Sequence, residues 1–304
     1  MKIVFVGVTK FSYHCLNEVL RNGGNVIAVL TLPGEKASFH SDFADLSEIT
    51  RRENIPLYRI ESTKDPATIE LVQGLKPDVI FVFGWSQIIP PEILDIPPKG
   101  CIGTHPALLP RNRGRHPLIW ALVKGLNKSG LTFLYMNEGV DSGDILMQRE
   151  FEITRDDDAS TLYRKIEVLA AQMISEFLPL LEQDRAPKIR QDHSKANYWE
   201  KRGEKDGEID WSKPTMETYN LIRALTHPYI GAHTFAGGVR LTVWKARLPD
   251  HTDTSAKIED TCMGEVIDRT SEGLHVRTSD GYIILQKYEA ESPVEITSGD
   301  KLGG

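Results

Sequence analysis

Short runs of uninterrupted apolar residues, each followed by a stretch of helical period, limit the fold of this chain more than any other feature. Lys2 to Val6 reads Lys-Ile-Val-Phe-Val and gives way to a glycine, then to apolar residues at helical spacing from Ser12 to Leu20, closed by Asn22-Gly-Gly. The unit repeats. Val26 to Leu32 reads as a strand, the region around Phe43 to Glu53 as a helix, Pro56 to Tyr58 as a short strand, Asp65 to Gly74 as a helix and Val79 to Phe83 as a strand. Strands alternating with helices imply a mostly parallel sheet covered on both faces. The unbroken Val79-Ile-Phe-Val-Phe agrees, because a strand buried on both faces has no polar alternation. In such open sheets ligands bind beyond the carboxyl ends of the strands.

Two of those ends are dense in reactive residues. Gly84-Trp-Ser-Gln-Ile-Ile-Pro-Pro follows the Val79 strand, and His105-Pro-Ala-Leu-Leu-Pro-Arg-Asn-Arg-Gly-Arg-His-Pro follows the run Cys101-Ile-Gly-Thr. A helix (Leu118 to Lys124), a strand (Leu131 to Tyr135), a loop (Asn137 to Ser142), a strand (Asp144 to Phe151) and a helix (Leu162 to Leu181) come next. The composition then turns polar, so residues 184–207 read as a linker between a domain of residues 1–183 and one of 208–304. Beyond the linker lie one helix (Thr215 to Thr226) and five closely spaced β runs: Ala232 to Phe235, Val239 to Lys245, Gly264 to Asp268, Leu274 to Thr278 and Tyr282 to Lys287. That pattern predicts a small β-barrel of the OB type.

Composition narrows the class of partner. The 304 residues contain no apolar run long enough to span a bilayer or serve as a signal segment, so the chain reads as untargeted, with no membrane partner. Cys15, Cys101 and Cys262 form no Cys-x-x-Cys pair, which fits a reducing, cytoplasmic setting and offers no zinc site. Residues 206–304 hold 16 acidic and 10 basic side chains, a net charge of −6, against −1 for residues 1–205. Nucleic-acid affinity comes largely from Lys and Arg, so tRNA reads as an improbable partner and small molecules as the expected ones.

No G-x-G-x-x-G follows the first strand, no P-loop or G-x-S-x-G is present, and the nine histidines include no H-x-x-x-H; dinucleotide, metal and serine chemistry all lack a motif. His105, directly after an apolar strand, and Asp141, in Gly139-Val-Asp-Ser-Gly-Asp, remain as candidates. A histidine titrates near neutrality and a neighbouring carboxylate orients it, which suits the proton removal that acyl transfer to an amine requires. The alternative from pattern alone is a strand-end histidine and an aspartate that merely forms a turn.

The segment Cys101-Ile-Gly-Thr-His-Pro-Ala-Leu-Leu-Pro-Arg-Asn-Arg-Gly-Arg-His-Pro-Leu-Ile-Trp-Ala, then Gly130-Leu-Thr and Val140-Asp-Ser-Gly-Asp-Ile, resembles the folate-dependent formyltransferases in motif, order and spacing. Leu221-Ile-Arg-Ala-Leu-Thr-His-Pro-Tyr-Ile-Gly-Ala-His-Thr-Phe with Val243-Trp is similar to the C-terminal domain of the same family. The resemblance implies a Rossmann-like sheet domain with an OB-like barrel, an N-formyltransferase using 10-formyltetrahydrofolate, and His105 and Asp141 in the catalytic positions. It also implies a pterin slot lined by the loops Trp85, Ser86, Gln87, Ile88, Ile89 and Asn137, Glu138, Gly139, Val140, with homodimers as a family habit. One departure stands out. The family's asparagine two residues before the histidine, which helps hold the formyl oxygen, is Gly103 here. Either the Asn112 amide supplies the donor, or backbone groups or a water do so, or transfer is weakened or lost; Asn112 is otherwise a turn residue between two arginines.

Within the family, the tRNA-modifying branch carries a basic insertion after the second strand. Here that stretch reads Leu32-Pro-Gly-Glu-Lys-Ala-Ser-Phe-His-Ser-Asp, which is similar instead to enzymes that formylate a UDP-linked 4-amino-4-deoxy-arabinose. A nucleotide-linked amino sugar is therefore the expected acceptor, with methionyl-tRNA as the alternative and a non-catalytic folate or sugar-nucleotide binding module as an alternative of another class. Arg111, Arg113 and Arg115 would serve the diphosphate, since guanidinium groups bind phosphate through paired hydrogen bonds, unless they are solvated surface charges.

Overall fold

The computed structural model describes residues 1–35, 41–250 and 261–303. The Lys36 to His40 part of the Pro-Gly-Glu-Lys-Ala-Ser-Phe-His stretch lies outside the described residues. Two compact units are present, and neither is continuous in sequence. The first holds Met1–Pro117, Ser129–Glu152 and Tyr163–Glu200; the second holds Leu118–Lys128, Ile153–Leu162 and Lys201–Gly304.

In the first unit β1 (Lys2–Val6), β2 (Asn25–Thr31), β3 (Leu57–Arg59), β4 (Val79–Val82) and β5 (Cys101–His105) run parallel in the order β3-β2-β1-β4-β5. Two residues of Arg113–Gly114 form β6, and β7 (Lys128–Tyr135) and β8 (Ile145–Glu152) then extend the large sheet, β7 antiparallel to β5. The strand order reverses between β1 and β4. A crevice opens beyond the carboxyl ends of such a pair.

The period of two along these strands sorts their side chains onto two faces. Val4, Val6, Ile80 and Val82 join a buried aliphatic cluster that includes Val72 of α3 (Pro66–Leu75) and Ile93 of α4 (Pro91–Leu94). Phe5, Phe81 and Phe83 alternate with them and form an aromatic core with Phe133 and with Phe177 of α6 (Ala159–Glu182). The helix α1 (Lys10–Arg21) runs beside α6, where Tyr163 Oη accepts from the Phe11 amide, and α2 (Ser47–Arg52) precedes β3. Ser12 ties α1 to the switch point: it caps the helix reciprocally with Thr9, and its Oγ donates to the Phe83 carbonyl at 2.6 Å.

The polar stretch expected to be a linker is built into the first unit as far as residue 200. Its Tyr198–Trp199, β9, pairs in parallel with β6. In the second unit α5 (Pro117–Val123) contributes Trp120, over whose ring Arg202 lies at 4.6 Å, and α7 (Thr215–Leu225) packs on an antiparallel sheet. That sheet contains β10 (Ala232–Ala236), β11 (Val239–Arg247), β12 (Val266–Thr270), β13 (Gly273–Arg277) and β14 (Tyr282–Ala290) in the order β10-β11-β14-β13-β12. Leu302 bridges to Ala236 of β10 and Lys301 to Glu265 beside β12, so the last residues join the two edges in the manner of a barrel. Arg223 of α7 donates to the carbonyls of Thr154 and Asp157, which explains why residues 153–162 belong to this unit. Among the described residues no helix is long and apolar enough to cross a membrane.

Phe177 is fully buried with its ring centroid 4.8 Å from that of Phe133. Phe177→Ala is expected to lower stability by about 3–5 kcal/mol, measured as a shift in denaturant midpoint; a loss below about 1 kcal/mol would show that α6 does not seal this core.

Candidate active site

β5 places His105 at its carboxyl end, beside the switch point, where the ring is buried with only 4% exposure. Its Nε2 lies 2.7 Å from the Asn112 carbonyl oxygen. A carbonyl only accepts, so Nε2 carries the hydrogen and Nδ1 is turned toward Asp141, whose Oδ2 is 3.5 Å away. β7 ends beside Cys101 and Ile102, at the far end of β5, so the loop of residues 137–143 must double back to bring Asp141 to His105.

Asp141 arrives in the left-handed region, at φ 49°, which costs an L-residue free energy unless its surroundings hold it there. Three groups do so. The Gly114 N–H donates to Oδ2 at 2.9 Å, and the side-chain amide of Gln191 donates to the Asp141 carbonyl at 2.9 Å and to the Gly143 carbonyl at 2.6 Å. Gly143 cannot carry a side chain, since a Cβ there would lie 1.7 Å from the Tyr135 carbonyl oxygen.

Residues 112–114 therefore serve both candidates through their main chain: the Asn112 carbonyl, just before β6, engages His105, and the Gly114 N–H within β6 engages Asp141. The expected role of Asn112 shifts accordingly. Its carbonyl engages His105, while its side-chain Oδ1 accepts from Asn197 Nδ2 at 3.1 Å and its main-chain N–H donates to Asn197 Oδ1 at 2.9 Å.

The three arginines separate. Arg111 and Arg115 are exposed, and Arg115 donates to the Ser86 carbonyl at 3.2 Å, joining this segment to the loop after β4. Arg113 departs from the expectation of a diphosphate ligand: it is 2% exposed, its two terminal guanidinium nitrogens are turned to Gln191, His193 and Tyr198, and its Nε is buried without a hydrogen-bond partner among the described residues. Its side chain points away from solvent because three neutral acceptors converge on it there.

Of the loop expected to line a cofactor slot, Trp85 is half-buried with an indole nitrogen that has no protein partner, and Ile89 is buried. Gln87 bonds Thr63 and Glu61, Thr63 bonds the Ile88 carbonyl, and Ile88 itself is exposed. Asn137 Oδ1 accepts from Gly139 N–H and Ser142 Oγ, a turn that leaves Glu138 and Val140 exposed. At Gly103 a Cβ would stand 3.0 Å from Met136 Cγ, so the methionine occupies the space of an asparagine side chain. Cys101, at the start of the same strand, has its thiol pushed up to about 12 by burial, with Asp95 adding to the effect, and is inert as a nucleophile. A cleft of about 440 Å³ lies against α1, lined by Lys10, Tyr13, His14, Asn17 and others, none of them a residue of the His105 group. Sequence reasoning missed Gly114, Gln191 and Asn197, since nothing in a polar stretch marks which side chains turn inward.

An α/β sheet domain with a histidine and an aspartate at its switch point, followed by a small antiparallel domain, defines a two-domain transferase architecture. Residues 1–178 match the formyl transferase model and residues 202–300 match the formyl transferase C-terminal domain model. The chain is 35% identical to the methionyl-tRNA formyltransferase of Syntrophus aciditrophicus, covering 100% of this chain and 96% of that one. It is 31% identical to the methionyl-tRNA formyltransferase of Clostridioides difficile, covering 100% and 97%. Its fold is similar to an N-formyltransferase from Helicobacter canadensis solved with folinic acid and dTDP-3-aminofucose, with TM-score 0.65, 17% identity and coverage of 94% and 99%. This chain belongs to the formyl transferase family and is an enzyme that moves a formyl group.

At Gly114, φ is 102° and an added Cβ would lie 2.3 Å from the Trp199 carbonyl oxygen. Gly114→Ala is expected to force β6 off β9, lowering stability by about 2–5 kcal/mol and formyl transfer by about 10-fold or more. Unfolding and turnover measured on one preparation check this; a stability change within about 0.5 kcal/mol would contradict the packing described.

Proposed function

We propose that this formyltransferase carries the formyl group of 10-formyltetrahydrofolate to the primary amine of a nucleotide-linked amino sugar, with His105 and Asp141 as the groups that take the amine proton. The folate donor supplies an activated formyl carbonyl. The first loop's features suit it: an unpartnered Trp85 indole N–H, the exposed Ile88 side chain and main-chain groups on either side.

As the acceptor nitrogen bonds to the formyl carbon it must lose a proton, and His105 and Asp141 take it as a pair. A proton arriving on Nδ1 makes an imidazolium flanked by two acceptors, Asn112 O and Asp141 Oδ2. Both stabilise the charge, and the ring need not turn to meet either. The same cation then has a proton to return to the departing nitrogen. With no side chain at Gly103, the proposed donor to the developing oxyanion is Asn112 Nδ2, whose Oδ1 is held by Asn197. A lost oxyanion donor costs roughly 10²–10³ in rate at other acyl-transfer sites, so some group must fill this place for efficient turnover.

The observation that carries the choice of acceptor is the net charge of −6 over residues 206–304, which opposes a tRNA backbone; exposed Arg111 and Arg115 suit a diphosphate. A second reading, methionyl-tRNA as acceptor, is favoured by the relatives at 31% and 35% identity over the whole chain. UDP- and dTDP-linked amino sugars and methionyl-tRNA, each incubated with 10-formyltetrahydrofolate, separate the two. The sugar reading predicts a product heavier by one carbonyl unit and binding that changes little between about 50 and 200 mM salt. Formylation of methionyl-tRNA alone, with steep salt dependence, would overturn it. His105→Asn and Asp141→Asn are each expected to lower kcat by about 10²-fold or more while the fold is retained. Absence of turnover with every amine would leave a binding module.

A further inference from the structure

The segment that reads as a linker contains a buried amide doing something no linker requires. Gln191 is 4% exposed, and three of its four hydrogen-bonding positions are used. Its Nε2 donates to the carbonyls of Asp141 and Gly143, which bracket the left-handed turn carrying the carboxylate. Its Oε1 accepts from Arg113 at 2.7 Å. Arg113 in turn donates to Tyr198 Oη at 2.9 Å and His193 Nδ1 at 3.0 Å. Among the described residues no carboxylate pairs with this buried guanidinium, so it is held by neutral acceptors, an arrangement that costs free energy unless each acceptor is fixed in place.

Arg113 also sits between the two peptide groups that hold the site, Asn112 O on His105 and Gly114 N–H on Asp141. Its side chain thus ties β6 to Gln191, Tyr198 and His193, and Gln191 in turn holds the turn of Asp141. We infer that Gln191 and Arg113 are positioning residues, setting the separation and angle between the His105 ring and the Asp141 carboxylate from the segment of residues 191–199. This rests on the reading of His105 and Asp141 as the proton-accepting pair. The turn that follows Gln191 is capped by Asp192, whose carboxyl is held down to about 2, chiefly by the Ser194 hydroxyl and then by Lys195.

Gln191→Glu separates positioning from stability. The added carboxylate forms an ion pair with Arg113 and loses the two hydrogen bonds to carbonyls, so a merely structural role predicts a changed thermal stability with turnover per folded molecule unchanged. The same change replaces the donor nitrogen with an acceptor facing the Asp141 and Gly143 carbonyls, which repel it. Positioning therefore predicts a kcat about 10- to 100-fold lower and KM values within about threefold for both substrates. The pH profile of kcat should shift relative to wild type, while Gln191→Met, which lacks both donor and charge, loses kcat without that shift. Wild-type kcat in Gln191→Glu, or failure of both variants to fold by circular dichroism, would overturn the inference by assigning the residue to stability alone. If His105→Asn and Asp141→Asn themselves leave kcat intact, the reading of the pair fails first. If those two lose activity and Gln191→Glu does not, only the positioning role fails.

Discussion

A peptide carbonyl cannot donate a hydrogen bond, and the one at Asn112 stands 2.7 Å from a buried imidazole nitrogen. That contact fixes which nitrogen of His105 carries the hydrogen and therefore which one faces Asp141. The carboxylate is fixed in the same way by the Gly114 N–H. Both depend on the direction of one short strand, whose geometry the chain secures by burying Arg113 behind it and pairing it with β9. The chemistry of the site is set by main-chain groups as much as by side chains. A main-chain group is placed only as well as the strand that bears it.

The same segment divides labour among three arginines spaced two residues apart that look alike in sequence. Arg111 and Arg115 remain at the surface, while Arg113 lies between them in the interior. Regular strand alternation would put these three arginines on one face, but the left-handed backbone at Asn112 (φ 62°) and Gly114 (φ 102°) breaks that alternation, so Arg113 does not share the environment of its solvated neighbours. Burying it is tolerable because Gln191, Tyr198 and His193 supply acceptors, and these come from a segment whose polarity suggested exposure. Gln191 turns inward to meet Arg113, while His193 and Tyr198 reach the same guanidinium from exposed positions.

The large sheet and the C-terminal antiparallel sheet were legible because their strands are either unbroken apolar runs or closely spaced β runs between turn signals. Val79 to Phe83 is the clearest case, with every side chain from Val79 to Val82 buried. His105 and Asp141 were legible through the family resemblance, and they do meet. What stayed hidden was β6 and β9, since two residues each carry no periodicity, and the left-handed turn at Asp141, since an aspartate before Ser-Gly reads equally as an ordinary turn. The assignment of residues 118–128 and 153–162 to the second unit was also beyond reach. It depends on contacts such as Arg223 to Thr154, distant in sequence and carried by backbone carbonyls that every residue possesses.

The central claim is that the Asn112 carbonyl sets the tautomer of His105 and turns Nδ1 toward Asp141. Nitrogen NMR of protein labelled at the imidazole nitrogens tests it directly, with His105→Gln identifying the resonances. In the neutral ring the hydrogen should reside on Nε2, and Asp141→Asn should perturb the Nδ1 signal more than the Nε2 signal. A ring with its hydrogen on Nδ1, insensitive to Asp141→Asn, would contradict the account.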